Sequence, residues 1–283
     1  MNILAIDIGN TKIKTAFFLD DREQFTESVH SDELGKLEDK LTKAWEEVPV
    51  VAGSTEDKRD GVIVVCSVNE KLTQEVRKMV DRALGEKIKV IGEDVRLPIE
   101  MGVENKKEVG TDRVVAAAAA FAVIEDAVVV ADFGTAVTID LVDEEGVFMG
   151  GVIAPGLEMG ADALHEGTDK LPRVELHEPM SPVGGNTKDA INAGIYYGAV
   201  GLLRTMAEMY AEQVGRWPQT IVTGGGSEML KARCPFVDAW VPDLVVKGII
   251  LAYKKHLADQ AQIAEWDEED QQQGKKDKGE GQE

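Results

Sequence analysis

The chain has 283 residues, 43% of them hydrophobic, enough to bury one large core or two medium ones. Its formal net charge of -21, from 52 acidic against 31 basic residues, argues against any sizeable nucleic-acid footprint and against docking on an anionic membrane surface. The two cysteines, Cys66 in an apolar run and Cys234 before a proline, provide neither a disulfide framework nor a CxxC metal site and read as reduced thiols.

Met1 leads straight into an apolar run with no charged leader, and the apolar run at Val128 to Ala131 is far too short to span a bilayer, so the expected location is the cytoplasm. From Asn2 to Asp20, NILAIDIGNTKIKTAFFLD reads as a strand, a tight turn and a returning strand. DELGKLEDKLTKAWEEV sets Leu34, Leu37, Leu41, Ala44 and Trp45 at helical spacing, GSTEDKRDG is a polar turn, and Gly61 to Val68 is a buried strand. KLTQEVRKMVDRALG predicts a helix with Gly85 at its C-terminal cap, and KIKVIG a further strand. This order describes a mixed sheet with helices against it.

The polar stretch from Glu93 to Gly110 leads into GTDRVVAAAAAFAVIED, where Thr111 or Asp112 can cap an alanine-rich helix. So apolar a helix is expected to be buried on more than one side, with a symmetry mate as one candidate cover. DAVVVADFGTAVTIDLVDEEG then repeats the opening pattern, and GVFMGGVIAPG adds a third strand whose Gly150, Gly151 and Gly156 suggest close backbone approach. APGLEMGADALHEGTDKLP predicts a helix and a loop, and NTKDAINAGIYYGAVGLLRTMAEMYAEQVG a long helix capped by Asn186 or Thr187, with small residues at Ala190, Gly194, Gly198 and Gly201. QTIVTGGGSEML reads as strand, glycine turn and helix, and VPDLVVKGIILAYKKHL as the last helix. From about Ala264 the apolar residues run out, and a disordered acidic tail is expected over 264–283.

Each half thus opens with the same device. A buried strand delivers a carboxylate (Asp7, Asp132) to its end, and the chain returns through a turn whose Gly9 or Gly134 lets backbone approach a ligand. Thr11 and Thr135 add hydroxyls that suit phosphate oxygens. Two such hairpins facing each other would clamp a polyphosphate and its cation. The expected architecture is α/β, with domains at 1–110 and 111–263 related by pseudo-two-fold symmetry and a ligand cleft between them.

DIGNTKIK, GTDR (110–113), DFGTA (132–136), GGVIAPG (150–156), NTKDAINAGIYYG (186–198) and TGGG (223–226) occur in the order and spacing of type III pantothenate kinases, and from Asn2 to Leu257 the chain resembles that family. The family belongs to the actin-like ATPase superfamily, with its acetate and sugar kinases, so the resemblance implies two actin-like, ribonuclease H-like domains. It implies ATP-dependent phosphorylation of pantothenate to 4'-phosphopantothenate, the first step towards coenzyme A. Carried over by position, Asp7, Ile8, Gly9, Asn10, Thr11, Lys12, Ile13 and Lys14 would bind ATP phosphates, with Mg2+ through Asp7, and Thr135 would contact ATP. Gly110, Thr111, Asp112 and Arg113 would hold pantothenate, with Asp112 as the base and Thr187 a further substrate contact. Asp132 would bind an activating monovalent cation, K+ or NH4+. The same resemblance implies a homodimer with active sites at the subunit interface. Beside Arg113 and at a helix start, Asp112 is expected to have a lowered pKa. Where the family has a Tyr and a Pro before GxDR, this chain has Val103 and Lys106, which alters the wall of the acceptor pocket. A related kinase for another hydroxyl acceptor, or a catalytically lapsed regulatory relative, is the alternative.

Overall fold

The computed structural model describes residues 1–54 and 58–279, with side chains outside 264–279. The first half forms strands β1 (Ile3–Ile8), β2 (Lys12–Leu19) and β3 (Arg22–His30), helix α1 (Leu34–Glu47), β4 (Val62–Ser67), α2 (Glu70–Leu84) and β5 (Ile88–Val90). They make a five-stranded sheet in the order β3-β2-β1-β4-β5. A two-residue strand β6 (Glu100–Met101) and α3 (Thr111–Ile124) follow. The second half repeats the plan with β7 (Val128–Phe133), β8 (Ala136–Val142), β9 (Val147–Pro155), α4 (Leu157–Glu166), α5 (Thr187–Val214), β10 (Gln219–Thr223), β11 (Ala239–Trp240) and α6 (Leu244–Gly279). Its sheet runs β11-β10-β7-β8-β9-β6, so β6 crosses over to pair with β9. The backbone of α6 runs through Gly279 into the stretch where a disordered acidic tail was expected, and 280–283 lie outside the described residues.

The pairing pattern explains the repetition. In each half the first strand runs antiparallel to the second and parallel to the fourth, so β1 and β7 are central and buried on both faces. Their sequences are correspondingly near-continuous apolar runs. One face of the first sheet packs on α1 and α2 through Leu4, Ile6, Leu41, Trp45 and Val76. One face of the second packs on α4 and α5 through Val129, Ile139, Leu157, Tyr196 and Leu203. Between the sheets lie α3 and α6 in a shared core with Ile3, Val64, Val128, Val130 and Ile249.

That layer accounts for the alanine run. Val114 to Ala120 are all buried, and a Cβ on Gly248 of α6 would come within 2.2 Å of the Val115 carbonyl. Only small side chains allow the helices to lie so close while both sheets press on them. The cover anticipated from a symmetry mate is thus supplied by the chain's own α6 and sheets. Of α3, only Ala122 and Val123 near its C-terminal end remain exposed.

Capping follows local chemistry. The Asn69 side chain accepts the Leu72 N–H at 3.1 Å to start α2, and Gly85 ends it in the left-handed conformation, φ 66°. Asn186 caps α5 by accepting from the Asp189 N–H at 3.0 Å.

Candidate active site

Both hairpins close as their sequences require. The Gly9 N–H donates to the Lys12 carbonyl at 3.0 Å, and the Gly134 N–H to the Ala136 carbonyl at 3.1 Å. The two turns meet across the halves, where the Thr11 and Thr135 hydroxyls share a hydrogen bond of 3.1 Å. Asn10 is held from two sides: its carbonyl accepts from the Ser31 hydroxyl at 3.0 Å and its side chain from the Asn69 amide at 3.3 Å. Ile8 and Ile13 point into the core, leaving only their backbone to face a ligand, whereas Lys12 is exposed without an ion pair among the described residues.

Asp7 stands opposite Lys14 on β2 and Cys66 on β4, and Asp132 opposite Thr138 on β8 and Thr223 on β10. Directly paired strand residues share a face, and this face is the one that looks onto the interior helices. Room for Asp132 comes from the TGGG turn, since a Cβ on Gly224 (φ 92°) would lie 2.4 Å from its carboxylate.

The start of α3 brings the third carboxylate. Gly110 is the cap residue, so neither Thr111 nor Asp112 caps the helix, contrary to expectation. Thr111 instead donates to the Ser67 carbonyl at 3.0 Å and accepts from the Cys66 thiol at 3.4 Å, pinning α3 to β4. The Asp112 carboxylate accepts the Arg113 N–H at 2.8 Å, and a Cβ on Gly110 would sit 2.5 Å from it.

Asp7, Asp112 and Asp132 keep partial access to solvent yet are crowded enough to titrate abnormally. Burial first, then the charge of Asp112, pushes Asp7 up to about 7 against the pull of Lys14, and Asp132 adds to it. Burial and Asp112 likewise push Asp132 up to about 6. Asp112 is also raised, which corrects the expectation of a lowered value: desolvation outweighs the Arg113 N–H and charge. The guanidinium is moreover turned away. Its Nε donates to Asp140 at 3.1 Å, its Nη2 donates to the other Asp140 oxygen, and it lies over Phe148. Lys14 Nζ pairs with Asp243 at 2.6 Å.

Three electrostatically coupled carboxylates with one nearby lysine make a site that gains from cations, and all-oxygen donors suit hard ones. Among the described residues no three His, Cys, Asp or Glu side chains form a ready chelating cluster. A divalent ion here would therefore depend on phosphate oxygens and water, as magnesium usually does. Thr187 is exposed at the first turn of α5, and no hydrogen bond or ion pair among the described residues joins it to the carboxylates. It lines instead a cavity of about 370 Å³ with Leu164, Leu171, Ala190, Ile191 and Ile195. Val103 packs near Gly150, and Lys106 is exposed in the short 3-10 turn Lys106–Glu108.

A sequence model of type III pantothenate kinases matches residues 3–209. The chain belongs to that family. A type III pantothenate kinase of Syntrophotalea carbinolica is 33% identical over 254 residues, covering 90% of this chain and 99% of that one. That of Agathobacter rectalis is 34% identical over 260 residues, covering 89% and 97%. Among solved structures, a Campylobacter jejuni protein assigned to the Baf family of transcriptional activators matches with a TM-score of 0.57 and 19% identity, covering 89% of this chain and 98% of that one. That likeness bears on fold alone. The fold is the two-sheet α/β class that the resemblance implied. Type III pantothenate kinases phosphorylate pantothenate with ATP, so the chain is a kinase by family. No helix among the described residues is long and apolar enough to cross a membrane.

Three residues of the site lay outside the sequence-based selection: Cys66, Asp140 and Asp243. Aligning the two hairpins would have exposed Asp140, because its counterpart in the first is Ala16.

Proposed function

We propose that this chain phosphorylates the hydroxyl of pantothenate at the cleft where Asp7, Asp112 and Asp132 converge. The observation that carries this reading is the meeting of the two Asp-Gly-Thr hairpins, hydroxyl to hydroxyl at 3.1 Å, beside the carboxylate at the start of α3. ATP would lie along the turns, its phosphates taking the N–H groups and hydroxyls of Gly9 to Thr11 and Thr135, with Lys14 supplying positive charge. The acceptor oxygen forms its bond to the γ-phosphorus, the bond to the bridging oxygen of ADP breaks, and the hydroxyl proton passes to Asp112. A raised pKa makes Asp112 a stronger proton acceptor than an ordinary carboxylate once charge in the occupied cleft keeps it ionised. Mg2+ would be held by Asp7 with the phosphates, and K+ or NH4+ beside Asp132; bound there, they would neutralise phosphate charge.

A homodimer belongs to the same reading. Gly194, Gly198 and Gly201 have open space where a Cβ would project, and the Thr187 cavity opens on that helix, so Thr187 would reach substrate across the dimer. A cytoplasmic location also belongs to it, given ATP as donor and two free cysteines. The test is coupled ADP release with and without pantothenate. One ADP formed per pantothenate consumed is expected; a protein that binds ATP but shows no pantothenate-dependent ADP release would move the acceptor elsewhere.

A further inference from the structure

Asp140 has no role in the chemistry above, yet it is the only charged side chain among the described residues that is fully buried, at 2% exposure. The fold does not demand it. Asp140 pairs with Val130 as Ala16 pairs with Ala5 in the other half, and Ala16 fills its place with a methyl group. A buried carboxylate is costly unless paired and hydrogen-bonded. Here the surroundings are cut to receive one. Gly151 lies opposite on β9, and a Cβ there would come 2.5 Å from the Asp140 carboxylate and 2.1 Å from the Ile139 carbonyl. The Tyr210 hydroxyl fixes that same carbonyl by donating to it at 3.0 Å.

What the carboxylate holds is Arg113, through two parallel N–H bonds, with the guanidinium 5.8 Å from the Phe148 ring centre and the side chain still 13% exposed. A fork gripped on one edge has its other N–H groups fixed in direction. Sheet order places this fork relative to the hairpin turns. The TGGG turn follows β10 on one side of β7, while Asp140, Phe148 and the Val103 contact with Gly150 lie on the β8-β9-β6 side. The hairpin turns hold the phosphates, so Arg113 occupies the side left for the acceptor.

We propose that Asp140 is a positioning residue for the acceptor substrate: by engaging one edge of the Arg113 guanidinium, it aims the remaining N–H groups at polar groups of pantothenate, a carboxylate-bearing alcohol. The GTDR, TID and GGVIAPG stretches thereby serve one purpose, with Gly151 making the space and Asp140 the orientation. This rests on the kinase reading above. The experiment is steady-state kinetics of the full chain with each substrate varied in turn, for wild type, Asp140→Asn and Arg113→Lys. Asn keeps the shape but not the charge, and Lys keeps the charge but not the fork. Each variant is expected to raise KM for pantothenate at least about tenfold while KM for ATP stays within about twofold. A merely structural ion pair would not separate the two constants, so KM values that move together, or do not move, overturn the positioning role alone. Should Asp140→Asn fail to fold, Asp140→Ala, which carries the side chain that Ala16 has at the equivalent place in the first half, decides by the same split. Wild-type protein that turns over no pantothenate overturns the kinase reading and this inference together, and that is seen before any variant is compared.

Discussion

Replacing Asp7 with Asn should abolish turnover and, in the ligand-free protein, raise stability in a pH-dependent way. Burial and Asp112 lift Asp7 from an ordinary 3.8 to about 7. The unfolded chain therefore releases this proton near pH 4 while the folded protein retains it until near pH 7. Stability falls as pH rises through that window and is level above it. Three pH units at about 1.4 kcal/mol each give roughly 4 kcal/mol, and water at the cleft mouth reduces the working figure to about 2 kcal/mol. Asn cannot ionise, so its advantage should reach about 5 °C in Tm at pH 8 and only about a third of that at pH 5. The assay is thermal denaturation of both proteins, free of nucleotide and divalent metal, at the two pH values. An equal gap at pH 5 and pH 8 would refute the claim that Asp7 is held in the folded protein with a raised pKa.

Asp112→Asn should lower kcat about a hundredfold or more with ATP binding retained; since Gly110 is the cap, a loss of helix stability with normal kcat would contradict the assignment as base. Replacing K+ by Na+ should depress turnover if a monovalent cation offsets the charge of Asp132 beside the phosphates, and unchanged rates in a bulky organic cation would remove that role. Gly248→Ala drives a Cβ to 2.2 Å from the Val115 carbonyl, so a loss of about 2–3 kcal/mol is expected from calorimetry or denaturant titration. Light scattering at micromolar concentration should give the mass of two chains, and truncation after Ile263 should leave activity intact.

The hairpins were legible because their information is local: a strand, an Asp, a glycine turn and a Thr lie within ten residues of one another. Helices α1 and α2 were legible for the same reason, each showing one apolar face. What α3 packs against was not, since periodicity reports how much of a helix is buried and not what buries it. The pKa of Asp112 was misjudged from its neighbour in sequence. Arg113 is adjacent along the chain but committed in space to Asp140, and desolvation dominates. Strand β11 is two residues long, too short to leave a pattern.

The alanine and glycine contact between α3 and α6 has a mechanical side. The two helices lie in the layer that joins the halves, and the alanine run with Gly248 sets their closest approach. Small sliding of packed helices is one way in which two halves shift past each other. A motion of that kind would have to carry α3 along α6. Bulk introduced at Ala117 or Gly248 should therefore weaken the fold and hinder any such shift, even with Asp7, Asp112 and Asp132 untouched.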